Sequence, residues 1–151
     1  MGEGGGSQRM LFFGEFHYKL DEKGRLPVPP HFRAPLQEGI VLAPGLDGCI
    51  DAYSNKEWEV FSSGIAAAST SPSKLRKLKR TMFGQAFPAS IDGQGRISLP
   101  EPLRFYAGIK TDAVVVGVSD HLEIWSKSAW DSEKADDQAQ VWQIMEGLEK
   151  R

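Results

Sequence analysis

Two ten-residue stretches of this sequence match each other closely: LDEKGRLPVP at Leu20–Pro29 and IDGQGRISLP at Ile91–Pro100. Asp, Gly, Arg and Pro recur at the same spacing, with an apolar residue before each Asp and after each Arg. The two aspartates, Asp21 and Asp92, are 71 residues apart. A pattern that returns at this distance indicates an internal duplication.

The similarity between the two copies extends beyond this motif. GLDGCIDAYSNKEW at Gly45–Trp58 corresponds to GVSDHLEIWSKSAW at Gly117–Trp130. Because about 50 residues rarely bury an adequate core alone, we expect the two copies to build one pseudo-twofold domain. The predicted organisation is a disordered leader, a first repeat, a helical linker with a basic segment, a second repeat and a C-terminal helix, at residues 1–9, 10–60, 61–81, 82–132 and 133–151.

The residue pattern predicts a mainly β protein with short helices, in the α+β class. In each copy an apolar strand (12–20 and 83–91) runs into a turn, where Asp can accept hydrogen bonds from backbone amides. Gly24 and Gly95 stand where a hairpin with a type I turn needs a left-handed residue. The short strand that follows each turn ends at a proline, which suits the first turn of a helix.

Helices are predicted after each repeat. Ser54 and Glu57 form a capping-box pattern at the start of the first helix, and Ser128 precedes the Trp of the second. A short basic helix is expected at 74–81, and a long polar helix at the C-terminal end carries an apolar stripe of Val141, Met145 and Leu148.

Composition is that of an average globular protein, with 40% hydrophobic and 25% charged residues. No run approaches the roughly 18 apolar residues of a membrane-spanning helix. Residues 1–9 lack the apolar core of a signal peptide. The single cysteine, Cys49, argues against an intrachain disulfide and a cysteine-based zinc site. These features predict a cytoplasmic protein.

The net charge of −2 does not by itself indicate a polyanion-binding protein. Residues 1–100 hold 12 basic and 10 acidic side chains, whereas residues 101–151 hold 6 and 10, so any nucleic-acid surface must be local. The segment KLRKLKR at Lys74–Arg80 has two interpretations. It is either a solvated helix face anchored by two leucines or a strip that faces phosphates.

Arg25 and Arg96 are the strongest candidates for a binding function. An arginine beside a turn, with Lys23 or Gln94 next to it, can reach phosphates or a guanine edge. The alternative is an Asp–Arg pair that braces the turn and contributes little if it is exposed. The two interpretations are compatible, because the aspartate can hold the arginine in a fixed pose.

Catalysis and metal binding are weakly supported. Asp21 and Asp92 could meet as an acid dyad, but the motif lacks a supporting Ser or Thr and each Asp has a local capping role. The histidines, His17, His31 and His121, show no metal-ligand spacing. We therefore predict no metal, no cofactor, no small-molecule substrate and no enzymatic activity.

Taken together, these segments resemble the MraZ family of transcriptional regulators, which are built from two SpoVT/AbrB-like repeats. The resemblance covers nearly all of residues 10–130, and the segments that carry it are FGEFHYKLDEKGRLPVPPHFR, GLDGCIDAYSNKEW, KLKRTMFGQAF, IDGQGRISLPEPLRFYAGI and GVSDHLEIW. One D-x-x-G-R motif is weak, but two in tandem with these flanks are highly specific. Tyr18 stands where the family commonly has a histidine.

The resemblance implies a swapped-hairpin-like β-barrel made by the two repeats, and ring-shaped homo-oligomers. It also implies binding of double-stranded DNA at tandem repeats in the promoter of the division and cell-wall gene cluster, and hence a nucleoid-associated protein. The implied DNA contacts fall on Lys23, Arg25, Gln94 and Arg96, in loops whose motif residues are Asp21, Gly24, Asp92 and Gly95. The rival interpretation is an antitoxin-like AbrB-type module whose C-terminal helix captures a protein partner.

Overall fold

The computed structural model of the chain describes residues 11–149, so the predicted leader at residues 1–9 lies outside the described residues. The described part contains eight strands and five helices, which confirms a mainly β protein with short helices. In chain order they are β1 (Phe12–Lys19), β2 (Arg25–Pro27), α1 (Pro30–Arg33), β3 (Ile40–Pro44), β4 (Ile50–Ser54), α2 (Asn55–Ala66), α3 (Pro72–Met82), β5 (Phe87–Ala89), β6 (Arg96–Ser98), α4 (Glu101–Ala107), β7 (Asp112–Ser119), β8 (Leu122–Ser126) and α5 (Lys127–Glu149).

The strands form a six-stranded sheet and a two-stranded sheet. The larger sheet has the order β1-β7-β8-β4-β3-β5, and all its neighbours are antiparallel. This order is symmetric about the β4–β8 pair, because β1 lies on β7 just as β5 lies on β3. The first strand of each repeat therefore pairs with a strand of the other repeat. The smaller sheet pairs β2 with β6 and joins the repeats a second time.

The expected closed barrel is not seen. β1 and β5 are the two edges of the larger sheet, and no strand pairing within residues 11–149 joins them. The predicted strand 83–91 is reduced to β5, because α3 extends to Met82 with Phe83 as its C-cap. Pro88 lies in the middle of β5, where its missing N–H suits an edge strand.

The turn between β1 and β2 also differs from the predicted hairpin. β1 pairs with β7 and β2 pairs with β6, so the strands on either side of the turn do not form a ladder with each other. The same holds for β5 and β6. The partner strands come from the opposite repeat, which local turn chemistry does not specify.

The β2–β6 pair is fixed by the core beneath it. Leu26 faces Ile97 in register, and these side chains are 1% and 3% exposed. Phe32 of α1 and Leu103 of α4 belong to the same buried cluster. A ladder of three residues on each strand is thus held by side chains from both repeats.

Side-chain caps position the helices. Ser54 Oγ accepts a hydrogen bond from the Glu57 backbone N–H at 3.1 Å, which confirms the predicted cap. In the second repeat Ser126, not Ser128, occupies the equivalent place and accepts from the Ala129 N–H at 3.2 Å. Among the described residues, no helix is both long and apolar enough to cross a bilayer.

Replacing Leu26 by Ala tests whether the small sheet depends on this core. The substitution removes a buried side chain from the β2–β6 contact and is expected to lower the free energy of unfolding by about 2–5 kcal/mol. Leu46→Ala is the matched control, because Leu46 is 85% exposed and its loss should change stability by less than about 0.5 kcal/mol. Denaturant-induced unfolding measures both, and equal losses would contradict the assignment of Leu26 to the core.

Candidate nucleic-acid interface

The two repeated motifs form matching turns, which we call tip 1 (Asp21–Arg25) and tip 2 (Asp92–Arg96). In tip 1 the Gly24 N–H donates to the Asp21 carbonyl at 3.0 Å, and in tip 2 the equivalent bond from Gly95 is also 3.0 Å. The φ angles of Gly24 and Gly95 are +75° and +78°. Both glycines are therefore left-handed, as the sequence predicts.

The aspartate of each tip caps its own turn. Asp21 Oδ1 accepts from the backbone N–H groups of Lys23 and Arg25, both at 2.9 Å. Asp92 Oδ1 accepts from the equivalent groups of Gln94 and Arg96 at 2.8 and 2.9 Å.

These contacts also set the charge of the two aspartates. The Arg25 backbone N–H is the main cause that lowers the pKa of Asp21 to about 2. The pKa of Asp92 is lowered too, chiefly by the Arg96 backbone N–H. Both side chains are therefore carboxylates at neutral pH.

The arginines of the two tips meet at one carboxylate. Arg25 Nε donates to Asp21 Oδ2 at 2.6 Å, and Arg96 Nε donates to Asp92 Oδ2 at 3.1 Å. Arg96 Nη1 also lies 3.5 Å from Asp21 Oδ2. Since Asp21 binds both guanidinium groups, the two tips form one surface, which we call the tip patch (Lys23, Arg25, Gln94 and Arg96).

The arginines of both tips are held by hydrogen bonds but remain partly exposed to solvent. The side chains of Arg25 and Arg96 are 30% and 26% exposed, and Lys23 and Gln94 are exposed. A guanidinium group has five N–H donors, and the Nη groups of Arg25 make no hydrogen bond to any described residue. The structure thus fits both interpretations of these arginines, because a carboxylate holds each one while outward donors remain.

Arg33 and Arg104 support the tips across the repeats, which the sequence analysis missed. Arg33 Nε donates to the Val28 carbonyl at 2.8 Å and Arg104 Nε donates to the Leu99 carbonyl at 2.9 Å. The Arg104 guanidinium packs on the turn of tip 1, and that of Arg33 packs on tip 2. Both arginines recur in the repeat at matching positions, but nothing in that recurrence shows which turn each one supports.

The tip aspartates are not arranged as a proton-sharing pair. The Arg96 guanidinium contacts both Asp21 and Asp92. In a carboxylate dyad one pKa is strongly raised, whereas here both are lowered. Each aspartate is thus paired with guanidinium groups and does not share a proton with the other aspartate.

A second cluster of titratable groups lies at the β4–β8 pair. Asp51 and Glu123 are directly opposite in register, and with Cys49 they place a thiol and two carboxylates within 4.8 Å of one another. Burial raises the pKa of both the Cys49 thiol and Glu123. Thiols and carboxylates are groups that can bind metal ions. The sequence did not predict this cluster, because Cys49 and Glu123 are far apart in the chain.

His121 lies beside this cluster. Its Nε2 is 3.4 Å from Asp51 Oδ1, its Nδ1 is 2.6 Å from Asp120 Oδ1, and its ring stacks on Tyr53 with centroids 4.5 Å apart. Burial opposes the charged form of His121, but the hydrogen bonds to Asp51 and Asp120 outweigh burial and raise its pKa. A protonated His121 therefore balances part of the negative charge.

His121→Gln tests this role through pH. Because the pKa of His121 is raised in the folded chain, its contribution to stability is complete below the unfolded value of 6.5 and is lost as pH rises through the folded pKa. The variant is expected to lose more stability at pH 5.5 than at pH 9 in thermal unfolding. His31→Gln removes an exposed imidazole and is the control, and a loss independent of pH would contradict the role.

Gly95→Ala tests the backbone geometry of tip 2. A Cβ at this left-handed position contacts the Arg33 guanidinium, and the left-handed conformation alone costs an ordinary residue about 1–2 kcal/mol. Gly93→Ala in the same turn is the matched control, since its Cβ would meet nothing within 4 Å. Equal stability of the two variants in urea unfolding would show that the tip does not depend on Gly95.

A family model and several known proteins that match this chain all point to one family. The MraZ family model, whose description places it among antitoxin-like proteins, matches twice, at residues 11–81 and 82–144. The Dehalococcoides mccartyi protein named transcriptional regulator MraZ is 49% identical over 141 residues, which cover 93% of this chain and 99% of the relative. Proteins of the same name from Natranaerobius thermophilus and Acetivibrio thermocellus are 43% and 37% identical, and the matches cover 81% and 91% of this chain and 85% and 96% of those relatives. The chain belongs to the MraZ family.

Proposed function

We propose that the chain is a sequence-specific DNA-binding transcriptional regulator and that the tip patch contacts the duplex. The observation that carries this proposal is the meeting of Arg25 and Arg96 at Asp21, with Lys23 and Gln94 exposed beside them. The relatives are named transcriptional regulators, which is not a class of enzyme.

The chemistry of the patch suits duplex DNA. A guanidinium group can bind guanine O6 and N7 or a phosphate, and a glutamine can bind adenine N6 and N7. Asp21 and Asp92 use mainly the Nε groups of the arginines, so the Nη ends remain for the duplex. Because each arginine is already held, it loses less side-chain entropy when it binds.

The tip patch of one chain has three basic side chains and the chain has a net charge of −2, so the affinity of a single patch for DNA is modest. A ring-like homo-oligomer that engages tandem repeats together converts weak contacts into avidity. The family resemblance supports such an assembly, a target in the promoter of the division and cell-wall gene cluster, and a place in the cytoplasm on the nucleoid.

Arg25→Ala and Arg96→Ala test the proposal. If the arginines read bases, each substitution costs about 1–3 kcal/mol of binding free energy to a duplex from that promoter. Lys127→Ala is the charge-matched control, because Lys127 lies on α5 and pairs with Asp131. Fluorescence anisotropy measures the affinities, with circular dichroism to confirm folding. Wild-type affinity in both folded arginine variants would remove the tip patch from the mechanism.

A second candidate function is the antitoxin-like interaction module. It is favoured by α5, whose residues include five exposed large apolar side chains: Val141, Trp142, Ile144, Met145 and Leu148. An exposed apolar stripe of this kind fits a groove on another protein. Binding of the promoter duplex by the purified chain alone separates the two functions, because only the first predicts it.

A further inference from the structure

Helix α3, between the two repeats, is the most cationic element of the described chain. Its residues Pro72–Met82 include five basic side chains and no acidic one. All five basic side chains are exposed, whereas Met82 is buried and Leu75 and Leu78 are partly buried. We call the basic set the α3 strip; its members are Lys74, Arg76, Lys77, Lys79 and Arg80.

The α3 strip is not neutralised within the described part of the chain. Three lysines elsewhere form ion pairs, Lys19 with Asp112, Lys127 with Asp131 and Lys134 with Glu15, whereas the exposed Lys23 and Lys110 form none with the described residues. No ion pair among residues 11–149 involves a member of the α3 strip.

The cations of the strip also repel one another. Lys74 and Lys77 are three residues apart, Arg76 and Arg80 are four apart, and like charges at these spacings destabilise a helix. The cap from Ser71 and the leucine face hold the helix despite this repulsion. A polyanion placed on the strip would relieve it.

Duplex DNA matches the strip in charge density. From Lys74 to Arg80 the helix rises by roughly 9 Å. A duplex carries one phosphate charge per about 1.7 Å of its axis when both strands are counted, so the same length of duplex carries about five phosphate charges. The acidic helix α5 of another copy is a poorer match, because Asp131 is bound to Lys127 and Lys134 adds a second positive charge to the same helix.

We propose that the α3 strip is a second, sequence-independent contact for duplex DNA that binds backbone phosphates. This inference rests on the proposed function, since it gives the bound duplex a further contact on the same assembly. The tip patch would supply base recognition, and the α3 strip would supply affinity that does not depend on sequence.

The test compares two charge-matched double variants. Lys77→Gln with Lys79→Gln removes two cations of the strip, and Lys127→Gln with Lys134→Gln removes two from α5. Both variants have the same net charge. Anisotropy titrations from 50 to 300 mM salt use the promoter duplex and a scrambled duplex of equal length. Circular dichroism confirms folding, and light scattering gives the mass of the assembly.

The strip variant is expected to weaken binding to both duplexes by the same factor. The slope of log affinity against log salt should become less steep by about 0.9 for each cation removed. The α5 variant should keep the wild-type slope. Lys77→Arg with Lys79→Arg preserves the charges and should also keep it, even if the glutamine variant unfolds.

Three results would overturn the inference. An unchanged slope in a folded strip variant, while Arg25→Ala still weakens promoter binding, rejects the strip and leaves the proposed function intact. An unchanged slope with a changed mass assigns the strip to contacts between copies. A wild-type chain that binds neither duplex rejects both proposals together.

Discussion

The pairing of β2 with β6 is the constraint on which the candidate site depends. Each strand has three residues, and each comes from a different repeat. The Val28 N–H donates to the Gly95 carbonyl at 2.8 Å, and the Leu99 N–H donates to the Gly24 carbonyl at 2.9 Å. Each tip is thus hydrogen-bonded to the strand of the other repeat. Without this pairing, two motifs 71 residues apart would have no reason to share a surface.

Local backbone chemistry made part of this structure predictable. The capping aspartates, the left-handed glycines and the prolines before α1 and α4 follow from rules that act within about five residues, and all are found. The exchange of β1 and β5 between repeats was not predictable from alternation of apolar residues, because alternation fixes a face but not a partner strand. For the same reason, the sequence did not show that an arginine of the opposite repeat packs on each tip. It also did not show that Asp51 and Glu123 lie close to Cys49.

The two cationic surfaces differ in how their charge is balanced. In the tip patch, carboxylates offset both arginines, which lowers the non-specific attraction of DNA while the directional donors of the guanidinium groups remain. On α3 the cations have no such partners among the described residues. Paired arginines suit recognition of base edges, since their position matters more than their net charge. Unpaired cations, such as the lysines and arginines of α3, suit phosphates, which are alike along the whole duplex.

The tip patch is only approximately symmetric, and this bears on the kind of DNA site that the proposed function implies. A true twofold dimer presents identical residues and matches a palindrome. Here Lys23 in tip 1 corresponds to Gln94 in tip 2, and Asp21 binds both arginines whereas Asp92 binds one. If the patch contacts DNA as proposed, its two different ends would distinguish the two directions along a duplex. If it reads bases, it is therefore suited to direct tandem repeats, where each chain of an assembly meets its site in the same orientation.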